Sequence, residues 1–150
     1  MSDVIFTPQL AKWRAYCDGS IVAGAIAVYI LKTAEADSTL RTRTTWAAVK
    51  AAAGNAEADF TNYAFKSGVT PTVTQGTAQA AVDIPDQTWA SAGTSGTPQN
   101  LAKLIVCWRP STGASDTNTI PLAALDYAEV ANGADITATI NATGVLLASG

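Results

Sequence analysis

From residue 60 onward the chain divides into short strand-like segments, one about every ten to fifteen residues, with loops rich in Gly, Pro and Ser between them. In the clearest, TAQAAVDI, one face carries only apolar residues: Ala78, Ala80, Val82 and Ile84. Strict alternation of this kind is typical of a half-buried strand. Many short strands separated by turn residues predict an antiparallel β-sandwich or barrel.

Other segments extend the β pattern over most of the chain. SIVAGAIAVYILK has the apolar content of a buried helix or strand, and its β-branched residues and Gly24 favour a strand. LAKLIVCWR, closed by Pro110, predicts a strand buried on both faces at its centre, and IPLAALDY and ITATINATG predict two more. Gly76 separates PTVTQ from TAQAAV and predicts a hairpin or bulged corner. SAGTSGTPQN and PSTGASDTNT predict two long polar loops.

One short α-helix is predicted near residues 44–53. Thr44 or Thr45 can cap its N-terminus, and Gly54 is placed to end it in the left-handed conformation. Because the 150 residues suit one domain, we expect a single mainly β domain over residues 21–150. Residues 1–20 are expected to form an N-terminal arm.

The composition excludes several kinds of partner. Only nine Lys and Arg are present, they are scattered, and the net charge is −3, so we expect no nucleic-acid binding. The longest apolar run, Ile21 to Leu31, is too short to span a bilayer, and the N-terminus lacks a secretory pattern. We therefore expect a soluble protein made in the cytoplasm. Only 14% of residues are charged, whereas Ala (30) and Thr (20) are abundant, which suits a protein packed against copies of itself or a larger body.

The sequence offers little for catalysis, so we expect no enzyme, no cofactor and no metal site. Histidine is absent, which removes the commonest general base and metal ligand. Cys17 and Cys107 are expected to be reduced, packed thiols, with a disulfide as the alternative. Three acidic pairs are expected to be solvated loop charges rather than calcium ligands: Glu35 with Asp37, Glu57 with Asp59, and Asp83 with Asp86.

Four tryptophans have two interpretations. Trp89 enters a loop and Trp108 follows LIVC, so both can pack at one end of the sheet as structural anchors. In the alternative, the rings are exposed and line a sugar-binding platform made by Trp13, Trp46, Trp89 and Trp108. We hypothesise that Trp89 anchors the sheet end from which SAGTSGTPQN projects. In the N-terminal arm, Trp13 and Tyr16 are the candidate interface residues, because an aromatic-bearing terminus often docks on a neighbour.

The order of segments from Asn62 to Leu146 resembles a recurrent kind of small, β-rich structural protein of tailed bacteriophages. In such proteins a strand of small residues ends in acidic residues and is followed by a Thr-Trp pair and an apolar strand. A strand that begins with Pro-Leu comes next, and the chain closes with an Asn-Gly turn and an IxxNxxGV-like segment. The matching residues are Asp83, Thr88, Trp89, Lys103, Ile105, Val106, Pro121, Leu122, Asp126, Tyr127, Asn132, Gly133, Ile136, Ile140, Asn141, Gly144 and Val145. The first 55 residues depart from this pattern.

The resemblance implies a capsid decoration (cement) protein located on the virion and bound to the lattice of the major capsid protein. It also implies a homo-oligomer, with a trimer favoured by the three-fold sites of head surfaces. A neck or tail component is an alternative, because such proteins share one β-sandwich. A carbohydrate-binding host-recognition module with exposed aromatic rings is the other.

Overall fold

The computed structural model describes residues 4–6, 15, 24–75, 79–140 and 146–149. Within these residues the chain forms short strands and two short helices. In chain order they are β1 (Val4–Ile5), β2 (Ala25–Thr33), α1 (Asp37–Leu40), α2 (Trp46–Ala51), β3 (Ala56–Glu57), β4 (Lys66–Val69), β5 (Thr72–Gln75), β6 (Gln79–Asp83), β7 (Gln87–Trp89), β8 (Gln99–Asn100), β9 (Lys103–Arg109), β10 (Ile120–Asp126), β11 (Val130–Ala131), β12 (Ile136–Ala138) and β13 (Leu146–Ser149).

The main sheet is antiparallel and has the order β1-β10-β9-β2-β3, with β4 also paired to β2. At its centre β2 pairs with β9 from Ala25 opposite Arg109 to Leu31 opposite Lys103. Smaller antiparallel sheets join β13, β6 and β5, β12 with β7, and β11 with β8. The predicted mainly β, antiparallel fold is therefore confirmed, and the strands that the structure describes form open sheets rather than a closed barrel.

Both faces of the main sheet are covered, which is why its central strands are apolar almost throughout. In β2, Ile26, Val28 and Ile30 enter one core, whereas the alternate residues Ala27, Tyr29 and Leu31 enter a second. Side chains from β6, β7 and β12 pack in the first core against the main sheet, as in a sandwich. The two helices contribute to the second core.

The predicted helix is present as α2. Thr45 is its N-cap, and its hydroxyl accepts a hydrogen bond from the Ala48 N–H at 3.1 Å. Trp46 and Val49 are buried, and the Trp46 ring stacks on Tyr29 with centroids 4.1 Å apart. The neighbouring helix α1, which buries Leu40, was not predicted.

The predicted left-handed end of α2 at Gly54 is wrong. The helix ends earlier, because its C-cap Ala52 is already extended (φ −73°, ψ 129°). Gly54 is not among the residues with positive φ. The side-chain amide of Asn55 donates to the Val49 carbonyl at 2.9 Å, so a side chain satisfies the C-terminal carbonyl that a left-handed cap would otherwise satisfy.

The other predicted strands are confirmed in part or whole. β9, β10 and β12 lie inside the segments named above, β2 extends one residue beyond its segment to Thr33, and β5 pairs with β6 as the predicted hairpin requires. The turn at Gly76 lies outside the described residues. In the N-terminal arm, Val4 and Ile5 pair with β10, and Phe6 is fully buried. Trp13, Tyr16 and Cys17 lie outside the described residues.

Candidate docking surface around the first loop

The first loop, residues 90–98, belongs to a segment without any charged side chain that runs from residue 87 to residue 102. Thr94, Ser95, Thr97 and Pro98 are exposed at its surface. β11 lies beside it, paired with β8, and there Val130 is 40% exposed. The loop itself therefore presents hydroxyl groups and backbone, which can be desolvated at lower cost than Lys or Glu, and the exposed acids Glu129 and Asp135 lie beside it.

Backbone hydrogen bonds hold the loop against residues 131–135. The Ala92 N–H donates to the Ala134 carbonyl at 2.9 Å, and the Gly133 N–H donates to the Ala92 carbonyl at 2.7 Å. Gly93, at φ +82°, lies so close that a Cβ there would be 2.7 Å from the Ala131 carbonyl oxygen. Only glycine fits this position, so the loop backbone lies directly against Ala131.

Two non-glycine residues with positive φ meet at the start of the loop. Asn62 has φ 69° and Ser91 has φ 47°, and within the described part of the chain they are the only such residues. The Asn62 amide donates to the Ser91 carbonyl at 3.1 Å, and the Ser91 N–H donates to the Asp135 carboxylate at 2.8 Å. These hydrogen bonds hold both left-handed residues in place and so fix where the chain enters the loop.

A polar cleft of about 640 Å³ lies on the other side of the loop, between the end of β2, residues 59–61, the first loop and β8. Its charged centre is Asp59, which accepts from the Lys32 ammonium at 2.7 Å and from the Gln99 amide at 2.6 Å. The hydroxyls of Thr61 and Thr94 are 3.2 Å apart on the wall. We call this site the polar cleft.

The charges of the polar cleft cancel. Hydrogen bonds from Lys32 and then Gln99 hold the pKa of Asp59 below its usual value. The carboxylate is therefore ionised and paired with the Lys32 ammonium, and its side chain is still 67% exposed. The side chains of the polar cleft can donate and accept hydrogen bonds, and their paired charges do not favour a ligand of either sign.

Trp89 leads from β7 directly into the first loop. Its ring is 2% exposed within the first core, its Nε1 donates to the Ala64 carbonyl at 2.8 Å, and the Lys66 ammonium lies 5.1 Å from the ring centroid. Trp108 is partly buried against the same core. The anchoring role of Trp89 stays a prediction, whereas Trp89 and Trp46 are too buried to form a sugar platform.

The expectation of solvated loop acids is wrong for Glu35 and Asp37. Glu35 is 12% exposed and forms a bidentate pair with Arg43, at 2.8 and 2.6 Å. Asp37 and Asp126 both contact the buried Lys103 ammonium, at 2.8 and 2.7 Å. Asp37 and Asp126 are structural because the buried Lys103 ammonium would be too costly to desolvate without partners.

Cys107 is a free, fully buried thiol, which confirms the expectation of a packed thiol at that position, and burial raises its pKa. In the described part of the chain, no three residues of the metal-binding types are grouped as a metal site would require. No helix formed by those residues is long and apolar enough to cross a membrane.

Sequence reasoning identified the loop but not the residues that fix it. Asn62 carried a signal, because asparagine tolerates positive φ better than most residues. Asp59 and Gln99 carried none, since they are far apart in sequence and meet only through the fold. Comparison with protein-family models, curated proteins and solved structures finds no match to this chain.

Proposed function

We propose that this protein is a non-enzymatic structural component of a tailed-bacteriophage virion, a capsid decoration protein that binds the outer surface of the head lattice and stabilises it. The observation that carries the proposal is the charge-free first loop, which backbone hydrogen bonds hold against residues 131–135. The Gly93 contact with Ala131 and the Ala92–Gly133 hydrogen bond hold the loop. The resemblance of residues 62–146 to phage structural proteins supplies the class of partner.

The physical argument rests on the cost of desolvation. A decoration protein covers a repeated surface, and a rigid loop loses little conformational entropy when it docks. An uncharged loop also avoids burying unpaired ammonium or carboxylate groups. Weak docking at each copy becomes strong when several copies are linked, so the proposal includes a homo-oligomer, with a trimer as the expected form on three-fold sites. Trp13 and Tyr16 remain the predicted contacts of the N-terminal arm.

A charge placed on the loop tests this proposal. Ser95 is exposed at the tip of the first loop, and Ser111 is exposed in the second loop, residues 110–119. Ser95→Lys is expected to weaken binding to empty shells of the major capsid protein encoded with this protein, by tenfold or more. Ser111→Lys is the matched control and is expected to bind like the wild type. Equal binding by both variants would overturn the role of the first loop.

The polar cleft supports a second candidate function, the binding of a neutral sugar. Paired carboxylate, amide and hydroxyl groups at Asp59, Gln99 and Thr61 suit the vicinal hydroxyls of a sugar, and a cleft of about 640 Å³ is large enough for one or two rings. Glycan-array binding that is lost in Gln99→Ala and kept in Ser111→Lys would favour this candidate. The absence of binding to any glycan would exclude it.

A further inference from the structure

Asn132 and Gly133 form an Asn-Gly pair at the exposed turn that backs the first loop. Asn-Gly is the sequence in which asparagine loses ammonia most readily. The backbone nitrogen of the glycine, having lost its proton to solvent base, attacks the side-chain Cγ of the asparagine. A C–N bond forms, ammonia leaves, and water opens the resulting succinimide to aspartate or isoaspartate. Glycine favours the attack because it has no side chain to obstruct it.

In the folded protein the two reacting groups are both hydrogen-bonded elsewhere. The Gly133 N–H, the proton that must be lost, donates to the Ala92 carbonyl at 2.7 Å. The Asn132 Oδ1 accepts from the Ala134 N–H at 3.2 Å, which holds the side chain in an Asx turn. Gly133 is also fixed at φ +101°. Attack therefore requires the turn to separate from the first loop.

We propose that Asn132 is a spontaneous modification site whose reactivity is suppressed by the docked first loop, and that the extent of deamidation there reports the total time the loop has spent open. The reaction needs only water and solvent base. Its isoaspartate product inserts one additional methylene into the backbone between residues 132 and 133. The longer backbone moves the Gly133 N–H away from the Ala92 carbonyl. In the isoaspartate form the loop therefore does not return to its original position. This inference is independent of the proposed function, because it concerns covalent chemistry of the isolated protein.

The glycines of the loop provide a matched pair of variants. An added Cβ at Gly93 meets the Ala131 carbonyl oxygen at 2.7 Å and is strained by φ +82°, whereas an added Cβ at Gly96 meets nothing within 4 Å. Gly93→Ala therefore pushes the loop away from residues 131–135, and Gly96→Ala leaves it docked. Both substitutions add one methyl group to the same exposed segment.

The experiment is incubation of the purified full chain at mildly alkaline pH, with deamidation at residue 132 followed by peptide mass mapping that separates aspartate from isoaspartate. The wild type and Gly96→Ala are expected to react at least about tenfold more slowly than a synthetic peptide of residues 129–136. Gly93→Ala is expected to react at least about fivefold faster than Gly96→Ala. Asn132→Gln is expected to abolish the product.

A second variant keeps the test valid if Gly93→Ala does not fold. Asp135→Ala removes the carboxylate that accepts from the Ser91 N–H at 2.8 Å, and it leaves the glycines intact. It is expected to accelerate the reaction at residue 132 relative to the wild type. The proposal is overturned if the folded wild type reacts as fast as the peptide, or if the folded loop-opening variants react no faster than Gly96→Ala.

Discussion

Replacement of Trp89 by alanine tests the anchor at the start of the first loop. The ring is 2% exposed and packs in the first core, and its Nε1 donates to the Ala64 carbonyl. The substitution removes the whole indole ring from the first core. The backbone of residue 89 stays paired with Ile136 of β12, so the two strands cannot easily move inward to fill the space. A cavity under the loop is the expected result.

The magnitude follows from burial. Truncation of a buried tryptophan to alanine costs about 3–5 kcal/mol. The lost hydrogen bond adds no more than about 1 kcal/mol, because Ala64 is exposed and water can reach its carbonyl. We therefore expect a loss near 4 kcal/mol in the free energy of unfolding, equivalent to a fall in Tm of roughly 8–16 °C for a domain of this size.

The assay is equilibrium denaturation in urea, with tryptophan fluorescence and far-UV circular dichroism as two probes of one transition. Val130→Ala is the matched control, since this side chain is 40% exposed and its truncation should change stability by less than about 0.5 kcal/mol. A loss below about 1 kcal/mol in Trp89→Ala would refute the anchor.

Three further predictions concern single contacts. Thr45→Ala should lower the free energy of unfolding by about 1 kcal/mol in the same denaturation assay, and Thr45→Ser should restore it. The Arg43 guanidinium donates to Glu35 and holds the pKa of that carboxyl below 4.5. The free energy of unfolding should therefore fall as the pH drops below about 4.5, and Glu35→Gln should flatten a plot of Tm against pH. Burial tends to lower the pKa of Lys103, but its hydrogen bonds to Asp126 and Asp37 raise it overall. The double substitution Asp37→Asn with Asp126→Asn should therefore lower the free energy of unfolding by about 3–5 kcal/mol. Lys103→Met should lower it less, because that substitution removes the buried charge itself.

Local sequence patterns predicted the strands well where burial on one or both faces gives the apolar residues a simple spacing. β9 is apolar on both faces because it lies between β10 and β2 with a core on each side, and a continuous apolar run is what such a position requires. β12 alternates strictly, with Ile136 and Ala138 buried and Thr137 exposed, because only one of its faces meets the core.

The features that sequence could not predict depend on contacts between distant segments. Asn55 ends α2 through its side chain, although Gly54 is the residue that local rules favour. Lys103 lies in a buried strand only because Asp37 and Asp126 reach it from two other elements. The polar cleft likewise requires Lys32, Asp59 and Gln99 to converge, and no local period encodes that convergence.

The most direct test of the proposed decoration role is co-sedimentation of the purified protein with empty shells of the major capsid protein, prepared in expanded and unexpanded forms. The proposal predicts saturable binding to expanded shells, with one stoichiometry per lattice site, and weaker or no binding to unexpanded shells. The absence of binding to either form would contradict the decoration role and would favour a neck or tail position or the sugar-binding candidate.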